Sequence, residues 1–188
     1  EAIAAGNWDH QQFLRMDSNG KATVFVTKAE IGQHIGTALA QVVAEELEIN
    51  WDDVSVNYPE SHAKWGLHIT GGSWSVNWTF DRNSRIGASA RIALTEAGAK
   101  LMKVNADDCY AKNSIVYSND GKSISYKDIL SKTTIDRTFS EEEMKSLKLK
   151  SFGEYSVIGK SKVPFDVPPK INGTAKYGID VFVPNMIY

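Results

Sequence analysis

Ala22-Thr23-Val24-Phe25-Val26-Thr27 alternates and is rich in β-branched and aromatic types, and beyond it the period changes, with Ile35, Leu39, Val42, Val43 and Leu47 recurring at helical spacing. A strand that hands over to an amphipathic helix across a short junction sets the fold class. The turn signal Asp17-Ser18-Asn19-Gly20 stands before the strand, and Phe13-Leu14-Arg15-Met16 lies before that turn, so the stretch opens as a hairpin. On the helix, Glu45, Glu46 and Glu48 fall around the far, solvated side, and Asn50 supplies a stop.

Outward from this core, Val54, Val56 and Tyr58 alternate with Ser55 and Asn57, a half-exposed strand ended by Pro59. An aperiodic loop from Glu60 to Gly72 carries His62, Trp65, His68 and the pair Gly71-Gly72. Ile86, Ala90, Ala93, Ala97 and Leu101 mark a second helix of about twenty residues. Its small residues, among them Gly87, Ala88 and Ala90, predict close approach to another backbone. Ser114–Ser118 and Ser123–Tyr126 flank Asn119-Asp120-Gly121 as a second hairpin, and Tyr126–Lys132 reads as a short helix. Ser140-Glu141-Glu142-Glu143 opens a solvated turn or helix, and Pro164, Pro168 and Pro169 mark an extended linker. The order predicts an α+β fold: an open mixed β-sheet with two long helices packed on it.

Of the 188 residues, 42% are hydrophobic and 23% charged, a globular composition. A net charge of −2 excludes a strongly basic nucleic-acid binder, so no nucleic-acid partner is expected. No stretch approaches the apolar length of a membrane span, and the single cysteine, Cys109, excludes an intrachain disulfide framework. Asp107 and Asp108 beside Cys109 would raise its thiol pKa, which fits a packed residue. The first residues lack an initiator Met and a basic leader, and the last ones stop on an apolar run, so a piece of a longer protein is expected.

Two junctions can carry chemistry. In Glu30-Ile31-Gly32-Gln33-His34, glycine lets the backbone approach a ligand, and the amides that open the helix can receive an anion such as a phosphate. Gln33 adds a planar donor–acceptor pair suited to a heterocycle edge. The plainer reading is that Gly32 eases a tight turn and Gln33 is a solvated cap. In Thr70-Gly71-Gly72-Ser73-Trp74-Ser75, two glycines and flanking hydroxyls can present successive N–H groups as an anion nest, and a flexible loop is the plainer alternative. His62 and His68 share a loop, but no cysteine or close acid completes a metal set, so no metal ligand is expected. Nothing pairs a Ser with a His at readable spacing, which leaves little support for an independent hydrolase. The tryptophans read as core and interface rather than as a stacking platform.

Taken in order, these segments resemble the molybdenum-binding large subunit of the xanthine oxidase family, in the branch of the isoquinoline 1-oxidoreductase beta subunit and membrane-associated aldehyde dehydrogenases. The likeness runs through Lys21–Val26, Glu30–Gln33, Thr37–Leu47, Thr70–Ser75, Ser125–Leu130, Ile158-Gly159-Lys160 and Asn172–Val181. It implies that residues 1–160 are the N-terminal portion of a molybdopterin-binding domain, and that 161–188 are a linker and the first strand of a hammerhead domain. It implies an oxidoreductase that oxidises N-heterocycles or aldehydes with water-derived oxygen. Its cofactor would be molybdopterin cytosine dinucleotide, with iron–sulfur clusters on a partner subunit. Gly32, Gln33, His34, Thr70, Gly71, Gly72, Ser73, Trp74 and Ser75 would line that cofactor.

The expected partners are the remainder of the large subunit, a small iron–sulfur subunit and a cytochrome c acceptor, in the periplasm. No catalytic residue falls within the matching segments, because the family's catalytic glutamate lies downstream; this chain alone should be inactive. The family usually has a second glycine after the Gln, where His34 stands here. That departure keeps an alternative open, a non-catalytic binding or scaffold module that retains the fold without the cofactor.

Overall fold

Alternation in the first hairpin buries one face of each strand. In β1 (Asn7–His10), β2 (Leu14–Asp17) and β3 (Ala22–Phe25), Trp8, His10, Leu14, Met16, Ala22 and Val24 point inward. The computed structural model describes residues 7–187. β1 pairs with β2 and β2 with β3, both antiparallel. β1 goes beyond the expected hairpin, reached through Gln11 and Gln12 in left-handed conformation. Helix α1 (Ile35–Leu47) carries the chain back to β4 (Val54–Asn57), which pairs parallel to β3 with Val24 opposite Val56. The sheet is thus mixed and open, in the order β1-β2-β3-β4.

α1 ends earlier than expected, at Glu48 in left-handed conformation (φ 56°) rather than at Asn50. Helix α2 (Ser75–Met102) is longer than the apolar spacing suggests, 28 residues, because in its first turns Val76 and Trp78 are exposed and form no buried apolar stripe. α2 packs on α1 at Gly87, where an added Cβ would run into the Val43 carbonyl and lie 2.9 Å from Glu46 Cβ. The small-residue expectation is met there.

A second sheet forms from β5 (Cys109–Lys112), β6 (Ile115–Ser118) and β7 (Ser123–Ser125), all antiparallel. The fold therefore carries two sheets instead of one. The expected short helix follows as α3 (Tyr126–Lys132), whose fully buried Tyr126 hydroxyl donates to the Leu47 carbonyl at 2.7 Å. α4 (Glu141–Ser146) opens with the capping box Ser140/Glu143.

Two further expectations are corrected. Glu45 and Glu46 are not solvated: they are 1% and 2% exposed, because residues 150–165 run as a strap over that face of α1. The Glu45 carboxylate accepts the Ser156, Val157 and Ile158 amides and the Lys150 ammonium, while Gln41 Nε2 donates to the Val157 and Lys160 carbonyls. Pro168 and Pro169 do not extend a linker but sit in the first turn of the short helix α5 (Val167–Ile171), where their missing N–H groups cost nothing. The strand expected near the end of the chain does not form among the described residues; Gly178–Asp180 is a 3-10 turn, and no neighbouring strand offers it a ladder.

Candidate functional site

The two glycine junctions meet. The Lys28 ammonium donates to the Ile69 carbonyl at 2.7 Å, and the Ala29 amide donates to the Thr70 hydroxyl at the same distance. The turn that leaves β3 and the turn that enters α2 are therefore stitched side by side.

They differ in what they leave free. In the first, Glu30 Oε1 accepts the amides of Gly32 (2.8 Å) and His34 (3.0 Å), so the protein's own carboxylate already sits at the start of α1. Gln33 folds back on its own turn: its Oε1 accepts the Ile31 amide and its Nε2 donates to the Ala29 carbonyl. Gly32, at φ 98°, has open space where a Cβ would project. His34 is left-handed (φ 59°), a conformation glycine adopts without strain, which explains why a glycine suits this position. Its Nδ1 donates to Asp166 Oδ1 at 2.8 Å.

The second turn is open. Gly72 and Ser73 are both left-handed, and the Trp74 amide closes the turn on the Gly71 carbonyl. Trp74 gives α2 no side-chain cap, and no acid stands in its first turn. The first-turn amides of a 28-residue helix thus face outward without a protein anion. Trp74 and Trp78 are 49% and 58% exposed with ring centroids 5.4 Å apart. The other three tryptophans pack as expected, Trp8 in the core, Trp51 against Phe165 and Trp65 against Phe25.

Positive charge lies beneath this turn. Lys28 is only 6% exposed, and its ammonium lies 5.8 Å from the Trp78 ring centre. Burial, then repulsion from Arg82, pushes its pKa down; burial alone does the same to Arg82, and no carboxylate pairs with either among the described residues. In the adjoining loop, His68 Nε2 is buried with no hydrogen-bond partner among the described residues. Two uncompensated cations, an uncapped helix start, an orphaned imidazole nitrogen and exposed indoles suit a flat heterocycle with an anionic tail.

The sequence reading singles out Thr70–Ser75 and does not name Lys28 and Arg82, which the structure places beside that turn. Lys28 lies beyond the end of β3, where Val26, Thr27 and Lys28 are buried in succession, so no alternation marks it. Arg82 stands in the opening turns of α2, where Val76 and Trp78 are exposed and periodicity says little. Elsewhere, Cys109 is half-buried, its pKa raised by burial and then by Asp108 and Asp120. His62 caps a short turn by accepting the Lys64 amide. No helix among the described residues is long and apolar enough to cross a membrane.

Comparison with known proteins gives the same direction. The chain is 46% identical over 171 residues to the membrane-bound aldehyde dehydrogenase [pyrroloquinoline-quinone] of Gluconacetobacter polyoxogenes, covering 90% of this chain and 22% of that one. It is 27% identical to the isoquinoline 1-oxidoreductase subunit beta of Brevundimonas diminuta, covering 94% and 27%. The chain thus spans about a quarter of the length of the curated relatives it matches. Quinoline 2-oxidoreductase from Pseudomonas putida 86 shares the fold over 63% of this chain and 15% of its own, with a TM-score of 0.52 and 19% identity. The family model for the molybdopterin cofactor-binding domain matches residues 2–181, and with the relatives above this shows that the chain belongs to that family.

Proposed function

We propose that this chain supplies the leading part of the cofactor cradle in a molybdenum oxidoreductase acting on aldehydes or N-heterocycles, with residues 1–160 in the molybdopterin-binding domain and 161–188 leading into a hammerhead domain. The observation that carries this reading is the open start of α2 beside Lys28 and Arg82, whose positive charge has no protein counter-ion among the described residues. The residues fit molybdopterin cytosine dinucleotide. Gly71, Gly72, Ser73 and Ser75 would offer amides and hydroxyls to its phosphates, Thr70 would hold the turn against β3, and Trp74 would cover a ring face. When bound, the cofactor supplies the oxygen and electron chemistry; this chain binds it, orients it and excludes water. Gly32, Gln33 and His34 would form the adjoining wall. Electrons would leave through iron–sulfur clusters on a small subunit toward a cytochrome c acceptor, in the periplasm.

The test is to express the full-length protein and measure bound molybdenum and CMP released on hydrolysis. About one of each per chain is expected, both falling in Lys28→Met and Arg82→Met. Pyrroloquinoline quinone in place of molybdenum and CMP would overturn the cofactor assignment. A second reading is favoured by one observation: Glu30 and Gln33 already satisfy the amides of the first turn. On that reading the fold is a scaffold without cofactor, and absence of molybdenum, CMP and quinone would establish it.

A further inference from the structure

Glu30, His34 and Asp166 bring one ligand atom each to within 4.8 Å of one another, although 132 residues separate His34 from Asp166. We propose that they form a binding site for a first-row divalent transition ion such as Zn²⁺, which staples the strap over α1 to the turn that opens that helix. Nothing in this depends on the cofactor reading.

The donor set is one imidazole nitrogen and two carboxylates, which suits a borderline ion better than Mg²⁺ or Ca²⁺. The His34–Asp166 pair stands near the spacing that coordination needs, and the Glu30 carboxylate, within 4.8 Å, closes on the ion by a side-chain rotation. Zinc binds nitrogen and oxygen at about 2.0–2.2 Å, which puts two donors on one ion roughly 3.0–3.4 Å apart. His34 Nδ1 and Asp166 Oδ1 stand 2.8 Å apart, so an ion replacing the shared proton requires only a few tenths of an ångström of movement. Glu30 is held by an outer shell: the Gly32 and His34 amides fix Oε1, while Oε2 has only a long bond, 3.4 Å, from the Tyr58 hydroxyl.

The place already attracts positive charge. The Lys170 ammonium pairs with Asp166, while Glu30 has no ion-pair partner among the described residues. Two carboxylates thus stand beside a single paired lysine, and a dication would displace that lysine from Asp166 and neutralise both. The consequence is mechanical. Phe165 next to Asp166 donates its amide to Thr37 at 3.0 Å and stacks on Trp51, so an ion here locks the end of the strap at the start of α1.

The experiment uses full-length protein, dialysed against chelator-buffered Zn²⁺ and assayed by elemental mass spectrometry, with tryptic cleavage at Lys160, Lys162 and Lys170 mapped in parallel. The expected result is one zinc more in the unsubstituted protein than in His34→Gly or Asp166→Asn. Zinc should slow cleavage at those lysines at least tenfold in the former only. Lys170→Ala should bind about tenfold tighter, since it removes the competing charge. His62→Ala should change nothing. Equal zinc content in all four variants and the unsubstituted protein overturns the proposal, as does cleavage that zinc does not slow. If His34→Gly fails to fold, the Lys170→Ala arm still decides, because unchanged or weaker binding there also overturns it.

Discussion

The Lys28 ammonium spans 2.7 Å to the carbonyl of Ile69, and that bond holds a nearly buried cation at the seam between two glycine turns. A lysine is seldom placed so deep without an acid. Desolvation and Arg82 both disfavour its charge, so the native protein keeps an electrostatic debt that a bound anion would relieve.

Lys28→Met should therefore act in two separable ways. Loss of the ammonium leaves the Ile69 carbonyl without its donor, a cost of about 1 kcal/mol at this part-buried bond that relief of the desolvated charge works against. Removal of the charge should also lower phosphate-bearing cofactor retention about tenfold, read as molybdenum and CMP per chain. Arg82→Met should show the second effect without loss at Ile69. Unchanged retention in both would show that the cations are structural only.

Glu45→Gln tests the strap. The carboxylate is fully buried and accepts three successive amides, Ser156, Val157 and Ile158, besides Lys150 at 2.7 Å. Glutamine presents an NH₂ to donors and strips Lys150 of a partner, so a loss of about 3–5 kcal/mol is expected. Amide exchange at 156–158 should accelerate far more than in β2 or β3. Burial works to raise the Glu45 pKa, but Lys150 and the Ile158 and Val157 amides outweigh it and hold the carboxyl low. Its stabilisation is thus present above the ordinary carboxylate range and fades as pH falls through the lowered native value.

Glu45 also shows where sequence reasoning stops. Its position opposite the Ile35–Leu47 stripe marks it as solvated, and a lone amphipathic helix would leave it so. The strap that buries it lies more than 100 residues away and has no period of its own. The two hairpins, α1 and α3 were legible because their signals are local: alternation, Asn-Gly or Asp-Gly turns and helical spacing. Thr70–Ser75 was legible as a glycine turn, but the pairing of Ala29 with Thr70 is tertiary. The start of α2 at Ser75 was hidden because Val76, Trp78 and their neighbours are exposed and present no apolar stripe.

Gly87→Ala probes the helix seam. The new methyl would meet the Val43 carbonyl and approach Glu46 Cβ at 2.9 Å and the Leu47 amide nitrogen at 3.1 Å, all on the rigid side of α1. Alanine normally favours a helix by about 1 kcal/mol over glycine. Here the overlap should win, with a net loss of about 1–3 kcal/mol by urea unfolding. A stabilised variant would mean that α1 and α2 stand further apart than described.

His10 gives the protein a pH dependence of its own. The ring is 4% exposed, lies 4.8 Å from the Trp8 ring and edge-on to Phe139, and its Nε2 stands 2.7 Å from Ser89 Oγ. No acid faces it from these neighbours, so burial alone pushes its pKa down from 6.5 to about 4. The folded state then holds the ring neutral where the unfolded chain takes up a proton. Between about 6.5 and about 4 the unfolded state binds more protons, so stability falls as pH drops through that window. The full effect is about 3 kcal/mol, reached near pH 4. His10→Asn can keep a hydrogen bond to Ser89 but cannot titrate. Urea midpoints measured from pH 7 to pH 4 should therefore fall less steeply in His10→Asn than in the unsubstituted protein. Parallel curves would show that His10 reaches solvent or gains a proton without unfolding, and the buried Trp8–His10–Ser89 arrangement would then be wrong.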